Sequence, residues 1–417
     1  MTRWAARLLA VWAGGAGALV FVGVLVSTPG VNAETGTASW SWDLPPGFPE
    51  PPVPADNPMS SAKVELGRRL FYDGRLSVDG TYACASCHRQ EQAFTDGRAL
   101  ARGVTGELHP RSTPTLTNVA YQATLQWADP ELTRLEAQVA GPLFSHRPVE
   151  LGMEGREGEL LRRLRDDPLY RRLFAEAFPG GEDAPRISLE TLAQALAAFE
   201  RTLISSGSAW DRWIFGGDPE AMSAAARRGL ELFESPRLGC SGCHVGFNVS
   251  APVHRAGALT AVPPMFNVGL YDVDGKGGYP AVDTGLHRKT GRPEDMGRFR
   301  VPTLRNVEIT APYMHDGSLP TLEAVIDHYA AGGRVIRSGL QAGDGRANPF
   351  KDPRIRGFSI TAEERGDLIA FLESLTDPVF VRDPRFSDPW GSSGESTGAA
   401  PRGPGASSPD RGDPGSR

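Results

Sequence analysis

The sequence predicts a mainly α-helical protein of two similar domains, related by duplication and connected by long loops rich in glycine and proline. Three observations support this prediction. The pentapeptide Cys-x-x-Cys-His occurs twice, at residues 84–88 and 240–244, and accounts for all four cysteines. Apolar residues recur at three- and four-residue spacing before each copy, as in amphipathic helices. No sustained alternation of apolar and polar residues, which would indicate strands, is present in the sequence.

The first 33 residues have the pattern of an export signal. Arg3 and Arg7 precede an apolar run over residues 8–26, and small residues ending at Ala33 form a cleavage site. We therefore expect a periplasmic protein that is cleaved after Ala33. The apolar run is also long enough for an uncleaved membrane anchor, which is the alternative.

The charge of the chain argues against one class of partner. The formal net charge is −6, and removal of the signal, with its two arginines and no acidic residue, would make it −8. An acidic surface is repelled by phosphate backbones, so we expect no nucleic acid partner.

Composition divides the rest of the chain. Residues 34–57 form a proline-rich lead-in, and residues 387–417 contain mostly glycine, serine, proline and arginine. Such a tail cannot bury a core, so we expect it to be disordered. The remaining length suits two domains, an N-terminal one at 58–216 and a C-terminal one at 217–380.

The Cys-x-x-Cys-His motif predicts covalent haem. Its two thiols add to the two vinyl groups of one haem, and the histidine ligates the iron. A redox disulfide or half of a zinc site is the alternative, but neither explains why histidine follows both times. We therefore expect two haem c groups. The predicted attachment residues and proximal ligands are Cys84, Cys87 and His88 in the first domain, and Cys240, Cys243 and His244 in the second.

An internal repeat surrounds these motifs and predicts two domains of cytochrome c type. A Gly-x-x-Leu-Phe sequence ends each of two predicted helices, at 62–71 and 224–233. Pro-Thr-Leu follows the motifs at 114–116 and 302–304. Further helices are predicted at 133–140, 157–164, 189–203, 319–331 and 361–375.

Longer motifs carry a family resemblance over residues 57–377. These motifs are Val-Glu-Leu-Gly-Arg-Arg-Leu-Phe-Tyr-Asp at 64–73, Ala-Phe-Thr-Asp-Gly at 93–97, Gly-Pro-Leu-Phe at 141–144 with Pro-Val-Glu at 148–150, and Pro-Thr-Leu-Arg-Asn at 302–306 followed by Ala-Pro-Tyr-Met-His-Asp-Gly at 311–317. By them the chain resembles bacterial di-haem cytochrome c peroxidases of the MauG type, and most closely the di-haem enzymes of methanobactin operons (MbnH type).

The resemblance implies that the first haem is open to peroxide. Val104 stands where other di-haem peroxidases carry a distal histidine, and valine cannot ligate iron. His109 lies nearby and is the alternative ligand. Glu150 matches the family's acid/base, with Gln138 and Pro142 lining the same pocket. Without the motif, a solvated surface residue would be the ordinary interpretation of this glutamate.

For the second haem the resemblance implies Tyr329 as the ligand opposite His244. Electron-transferring peroxidases have methionine at this position, whereas MauG-type enzymes have tyrosine. Tyrosinate is a hard anion that favours high-valent iron, and methionine is a soft neutral donor that raises the potential. A core tyrosine is the alternative, with the ligand supplied instead by Met296, Met314, His315 or His328.

Two further features follow from the resemblance. Trp127 matches the tryptophan that lies between the haems and relays electrons or holes, with ordinary core packing as the alternative. A calcium ion is expected from the matches at Ser112, Thr310 and Pro312, because calcium prefers carbonyl and carboxylate oxygens. Serine replaces asparagine at the first of these positions and so removes one amide oxygen.

The function implied is that of an exported enzyme that uses hydrogen peroxide to reach a high-valent two-haem state. It would oxidise a residue of a partner protein, tryptophan to kynurenine, and the partner would be copper-associated (MbnP-like). Leu238 replaces the exit tryptophan of MauG, so Trp210 and Trp213 are candidates for another route. The alternatives are a cytochrome c peroxidase fed by a small cytochrome or cupredoxin, and a non-catalytic electron carrier.

Overall fold

The computed structural model describes residues 40–180, 185–250 and 264–391. The predicted signal at 1–33, the first part of the lead-in and the predicted tail from residue 392 lie outside the described residues. Within the described ranges, no helix has the length and apolar character needed to span a membrane. Helices and short 3₁₀ turns dominate, and the described strands form a single two-stranded sheet. The mainly α fold class is confirmed.

Most secondary-structure elements of the described residues are short. The α-helices are α1 Ser61–Phe71, α2 Cys84–Cys87, α3 Leu135–Gln138, α4 Ala140–Phe144, α5 Glu157–Asp166, α6 Pro168–Ala177, α7 Leu189–Arg201, α8 Ala209–Ile214, α9 Ala224–Glu234, α10 His287–Thr290, α11 Leu322–Ala330 and α12 Ala362–Glu373. The antiparallel strands are β1 Val335–Ile336 and β2 Gly343–Asp344. The 3₁₀ turns are Gly74–Leu76, Gln90–Gln92, Val119–Tyr121, Cys240–Gly242, Pro293–Asp295, Val307–Ile309, Gly345–Ala347 and Phe380–Arg382.

Five of the predicted helices form close to their predicted bounds, and these are α1, α5, α7, α9 and α12. The segment predicted as one helix at 133–140 is instead α3 followed by α4. Pro142 has no N–H and cannot donate to the Gln138 carbonyl, which breaks the helical ladder there. Helix α11 begins at Leu322, later than predicted, because the Thr321 side chain caps it by accepting from the Ala324 N–H.

The duplication is visible in how helices pack. Helix α1 packs on α7, and α9 packs on α12. A Cβ added at Gly67 would collide with the carbonyl oxygen of Ala195, and one at Gly229 would collide with that of Asp367. Only glycine permits such close backbone contact. The repeated Gly-x-x-Leu-Phe sequence therefore sets the same helix crossing in both halves.

Two hydrophobic cores correspond to these helix pairs. The first is built around α1, α6 and α7, and the second around α9 and α12. The end of the described chain returns to the first core, where Phe380 and Phe386 are buried. Trp390, within the predicted tail, lies over the Arg69 guanidinium and donates its indole N–H to the Arg69 carbonyl. The domain boundary near residue 216 stays a prediction.

Candidate active site

The predicted proximal histidines are held in the same way. His88 Nδ1 lies 2.8 Å from the carbonyl oxygen of Phe94, and His244 Nδ1 lies 3.1 Å from that of Val249. A carbonyl only accepts, so each Nδ1 carries the proton and donates it. The Nε2 lone pair is then left for a metal, which is the tautomer that metal-binding histidines adopt.

The accepting carbonyls belong to strained backbone. Phe94 has φ = 61° and Val249 has φ = 44°, both in the left-handed region that side chains with a Cβ rarely adopt. Such conformations cost of order 1–3 kcal/mol each and cluster at functional sites. Burial also lowers the pKa of His244 to about 4, so its imidazole is neutral, as a metal ligand must be.

A large cavity adjoins the second motif. Its volume is about 680 Å³, within the range of small-molecule and cofactor sites. Cys240, Cys243 and His244 line it, and all four cysteines of the chain are free of disulfides. Apolar side chains, among them Leu304 and Ile326, form much of the remaining wall. Two thiols, one imidazole and apolar walls around this volume fit a haem.

Tyr329 lines the same cavity, and its hydroxyl has no hydrogen-bond partner in the described part of the chain. The Tyr313 hydroxyl, by contrast, donates to the Val307 carbonyl at 3.0 Å. Burial raises the pKa of Tyr329 well above the usual range. Its phenolate would therefore form only beside a cation, such as a metal.

The alternative ligands of the second site differ in position. His328 and Met296 do not line the cavity, and His328 Nε2 is 3.0 Å from the Val268 carbonyl. His315 lines the cavity but is stacked on Phe299, with ring centroids 3.7 Å apart. Met314 lines it as well. The identity of the ligand opposite His244 stays a prediction, for which Tyr329 is the best placed by its unpaired hydroxyl.

The predicted peroxide pocket is assembled from two loops. The Val104 N–H donates to the Glu150 carbonyl at 2.8 Å, and the next N–H along the chain, that of Leu151, donates to the Pro142 carbonyl at 2.9 Å. The structure thus brings Val104, Pro142 and Glu150 together. Gln138 ends α3, one turn before Pro142, and no hydrogen bond between its side chain and Glu150 is present among the described residues.

Glu150 has an unusual environment for a carboxyl group. Its side chain is 40% exposed, and the rest of its surface is covered by protein. Burial raises its pKa to about 7. His109 Nε2 lies 3.9 Å from Glu150 Oε1, and His109 Nδ1 accepts the Arg111 backbone N–H at 3.2 Å. The His109 proton is therefore on Nε2 and faces the carboxyl group.

Trp127 lies in the wall of the second cavity and is hydrogen-bonded to the loop at residue 112. It lines the second cavity, and its indole N–H donates to the Ser112 carbonyl at 2.9 Å. Ser112 ends the loop whose residue His109 faces Glu150. Of the exit candidates, Trp210 is buried in the second core and Trp213 packs against it, and neither lines the cavity. Leu238, at the position of the MauG exit residue, does line it.

The predicted calcium residues all adjoin the same cavity. Ser112, Thr310 and Pro312 all line it. No group of three or more His, Cys, Asp or Glu side chains suited to an ion occurs among the residues described. The expected ligands are mostly carbonyl oxygens, so that finding does not test calcium binding.

Sequence reasoning missed three groups at these sites. The carbonyls of Phe94 and Val249 orient the histidines, and the Arg300 guanidinium lies over Trp127 at 5.2 Å from the ring centroid. Phe94 does belong to the Ala-Phe-Thr-Asp-Gly motif. No sequence pattern indicates backbone acceptors or a buried cation, because both depend on how distant segments pack.

Comparison with known proteins agrees with this arrangement. A family model described as di-haem cytochrome c peroxidase matches residues 61–219. Cytochrome-c peroxidase IdrP1 of Denitromonas iodatirespirans is 37% identical over 378 residues, covering 85% of this chain and 93% of the relative. Methylamine utilization protein MauG of Methylophilus methylotrophus is 34% identical over 345 residues, covering 81% and 90%.

A solved structure is also similar. The crystal structure of a MauG-like protein associated with microbial copper homeostasis is 48% identical, with a TM-score of 0.81. The match covers 84% of this chain and 100% of that one. From these relatives, and from the two sites described above, the chain belongs to the di-haem cytochrome c peroxidase family of peroxide-dependent oxidoreductases, which includes MauG.

Proposed function

We propose that this protein is an exported di-haem c-type enzyme that uses hydrogen peroxide to oxidise a residue, tryptophan to kynurenine, of a partner protein. The observation that carries the proposal is Tyr329, a half-buried tyrosine in the cavity beside His244 whose hydroxyl has no hydrogen-bond partner among the described residues. A hard anionic ligand favours the oxidised metal and makes a poor acceptor for ordinary electron donors. Such a site suits storage of an oxidising equivalent better than rapid uptake of electrons.

The partner is proposed to be an exported copper-associated protein. Support comes from the similar structure, whose description links that MauG-like protein to microbial copper homeostasis. The acidic chain favours a partner with a complementary basic surface. Export itself is supported by the signal-like sequence at the N-terminus and by the four cysteines, which suit covalent haem attachment.

Each proposed catalytic group has a distinct task. A haem held by His88 would supply the redox chemistry with peroxide, and one held by His244 would share the oxidising equivalents. Glu150, with a pKa near neutrality, takes a proton from one peroxide oxygen and returns it to the other. Pro142 and Gln138 shape that pocket, and the His109 N–H faces the Glu150 carboxylate before it takes the proton. Trp127 provides an aromatic ring between the sites.

Covalent haem and calcium are separate parts of the proposal with simple measurements. Intact mass after denaturation should exceed that of the polypeptide by two haems, with thioethers at both pairs of cysteines. Metal analysis after dialysis should give about one calcium per chain, and a chelator that removes it should alter the second haem spectrum. An unchanged second-haem spectrum after calcium removal would contradict the calcium prediction and leave the haem prediction unaffected.

The central experiment compares two tyrosines of one cavity. Tyr329→Phe removes the predicted ligand oxygen, whereas Tyr313→Phe removes a hydroxyl bonded to protein. Absorption and magnetic resonance of the resting ferric protein should show one high-spin haem and one low-spin His/Tyr haem. Tyr329→Phe should lose the low-spin signal, and Tyr313→Phe should keep it. Two low-spin centres with a methionine–iron band in the wild type would contradict the assignment.

The activity is tested by Tyr329→Met. The variant should still react with peroxide but lose oxidation of the partner, measured as a mass change of the co-purified protein. Removing an anion from the metal makes its higher oxidation state harder to reach. Cytochrome c peroxidase activity is the second candidate, favoured by relatives of that name. Rapid wild-type turnover with a small cytochrome or cupredoxin, with every partner mass unchanged, would establish it instead.

A further inference from the structure

The cavity beside His244 contains a positive charge that no described carboxylate balances. Arg300 is only 5% exposed, and it lines this cavity. Its Nε atom has no hydrogen-bond partner within the described part of the chain. No Asp or Glu oxygen lies within 4.0 Å of the guanidinium in residues 40–180, 185–250 and 264–391. A buried and unpaired cation of this kind calls for an anion inside the cavity.

Another arginine of the same cavity provides a comparison. Arg354 also lines the cavity, but its Nε lies 2.8 Å from Asp352 Oδ1, and its side chain is 44% exposed. Its charge is therefore balanced by protein and by solvent. Arg300 has neither form of compensation, although both guanidinium groups reach the same space.

The indole of Trp127 does not replace an anion. The Arg300 guanidinium carbon lies 5.2 Å from the centre of the Trp127 ring, and the Arg300 backbone N–H donates to the Trp127 carbonyl at 2.9 Å. A cation–π contact recovers only part of what a buried ion loses by leaving water. Burial lowers the pKa of Arg300 to about 10, so the group is still charged at neutral pH.

We propose that Arg300 binds a carboxylate of the cofactor that occupies this cavity and holds it beside Trp127. Haem carries two carboxylates, on the edge away from the vinyl groups that would react with Cys240 and Cys243. A guanidinium binds a carboxylate through two parallel N–H donors, which fixes direction as well as distance. This inference rests on the proposed function only in taking haem as the ligand. It assigns the Arg300 guanidinium as the group that orients the haem.

A consequence for Trp127 follows. A bare guanidinium over an indole ring opposes removal of an electron from that ring, because the two positive charges would repel. A carboxylate paired with Arg300 cancels this repulsion. Arg300 is thus a positioning residue for the cofactor and also sets how readily Trp127 is oxidised.

The test uses the full haem-loaded protein and three variants. Arg300→Gln removes the charge, Arg300→Lys keeps it, and Arg354→Gln removes a paired charge from the same cavity. The readouts are the midpoint potential of the second haem, from a spectroelectrochemical titration at several pH values, and the propionate bending bands in resonance Raman spectra.

Arg300→Gln should lower the midpoint potential, because loss of a nearby positive charge favours the ferric state. It should also make the potential depend more strongly on pH, since the released carboxylate then titrates, and it should shift a propionate band. Arg300→Lys and Arg354→Gln should stay close to the wild type in both readouts. The pattern across the three variants, rather than activity, supports the proposal.

Several results would overturn it. A loaded Arg300→Gln protein with wild-type potential and wild-type propionate bands would show that no carboxylate contacts this residue. A wild-type potential that changes when chloride is exchanged for a bulky anion would identify a solvent ion as the partner. If Arg300→Gln fails to retain haem, the proposal is tested with Arg300→Lys instead. A changed propionate band in Arg300→Lys, with an unchanged pH dependence of the potential, would count against the proposal. Absence of haem from the wild-type second site would instead contradict the proposed function itself.

Discussion

The two halves of this molecule hold their histidines alike but differ on the opposite side of each predicted metal. Behind His88 and His244 stand the same supports, namely a left-handed carbonyl and a helix pair crossed at a glycine. The other residues assigned to each site differ: Tyr329, on α11, lines the cavity beside His244, whereas the Glu150 carbonyl accepts from the Val104 N–H in the first half. The support behind each histidine is thus repeated, while the residues proposed for its opposite side differ in chemistry.

The largest effect is expected on the rate of reaction with peroxide, when Glu150 of the first site is replaced. Glu150→Gln should slow the reaction with peroxide by roughly 10²–10⁴-fold, the usual contribution of a positioned acid/base. Stopped-flow absorption of the haem bands measures this rate. Both haems should stay attached and the second-site spectrum should not change.

Glu154→Gln is the matched control, because Glu154 is in the same loop and its side chain is 58% exposed. It should react at the wild-type rate. Equal rates for Glu150→Gln and the wild type would move the acid/base role to another group of the pocket.

The next prediction tests whether the scaffold is equivalent in the two halves. Gly67→Ala and Gly229→Ala should each lower the free energy of unfolding by about 1–3 kcal/mol, since the new Cβ must displace a backbone carbonyl. Denaturant unfolding followed by circular dichroism measures the change. Gly366→Ala in α12 meets open space and should be neutral or raise stability by about 0.5–1 kcal/mol. A large loss in one half only would show that the two crossings are not equivalent.

The pH dependence of the peroxide reaction should report the titration of Glu150. Burial raises the pKa of Glu150 from 4.5 to about 7, so its base form is scarce in acid and dominant only above neutrality. The rate of reaction with peroxide should therefore rise by about tenfold per pH unit below 7 and level off above it. In Glu150→Gln the profile should be flat over this range. A wild-type rate constant that does not change from pH 5 to 8 would contradict the assignment of Glu150 as the base.

The smallest effect is expected at His109. Its Nε2–H faces the Glu150 carboxyl and favours the charged form, although 3.9 Å is too long for a direct hydrogen bond. His109→Leu should raise the pKa of Glu150 and move the midpoint of the pH profile to higher pH by less than about one unit. His146→Leu is the control, because His146 is 72% exposed and lies beside Glu154. A larger shift with His146→Leu than with His109→Leu would refute the contact.

The sequence predicted features that are encoded within short segments, and it predicted less well those that depend on packing between distant segments. The motifs singled out His88 and His244, which the structure holds in the same way, and periodicity located α1, α7, α9 and α12, because both signals lie within short segments. Their role as metal ligands stays a prediction. Pro142 split a predicted helix, which its missing N–H explains. Arg300 was missed because its burial comes from segments far apart in the chain. The roles of Glu150 and Tyr329 stay predictions that their environments favour.

The hydrogen bond that orients His88 also leads toward the second cavity. The carbonyl that accepts from His88 belongs to Phe94, and the following residue, Thr95, lines the second cavity. One hydrogen bond and one peptide unit therefore separate the His88 imidazole from Thr95 in the wall of the second cavity. If each histidine binds an iron, this backbone path would couple the two sites alongside the proposed route through Trp127. Replacing Trp127 should then slow electron transfer between the sites without abolishing it.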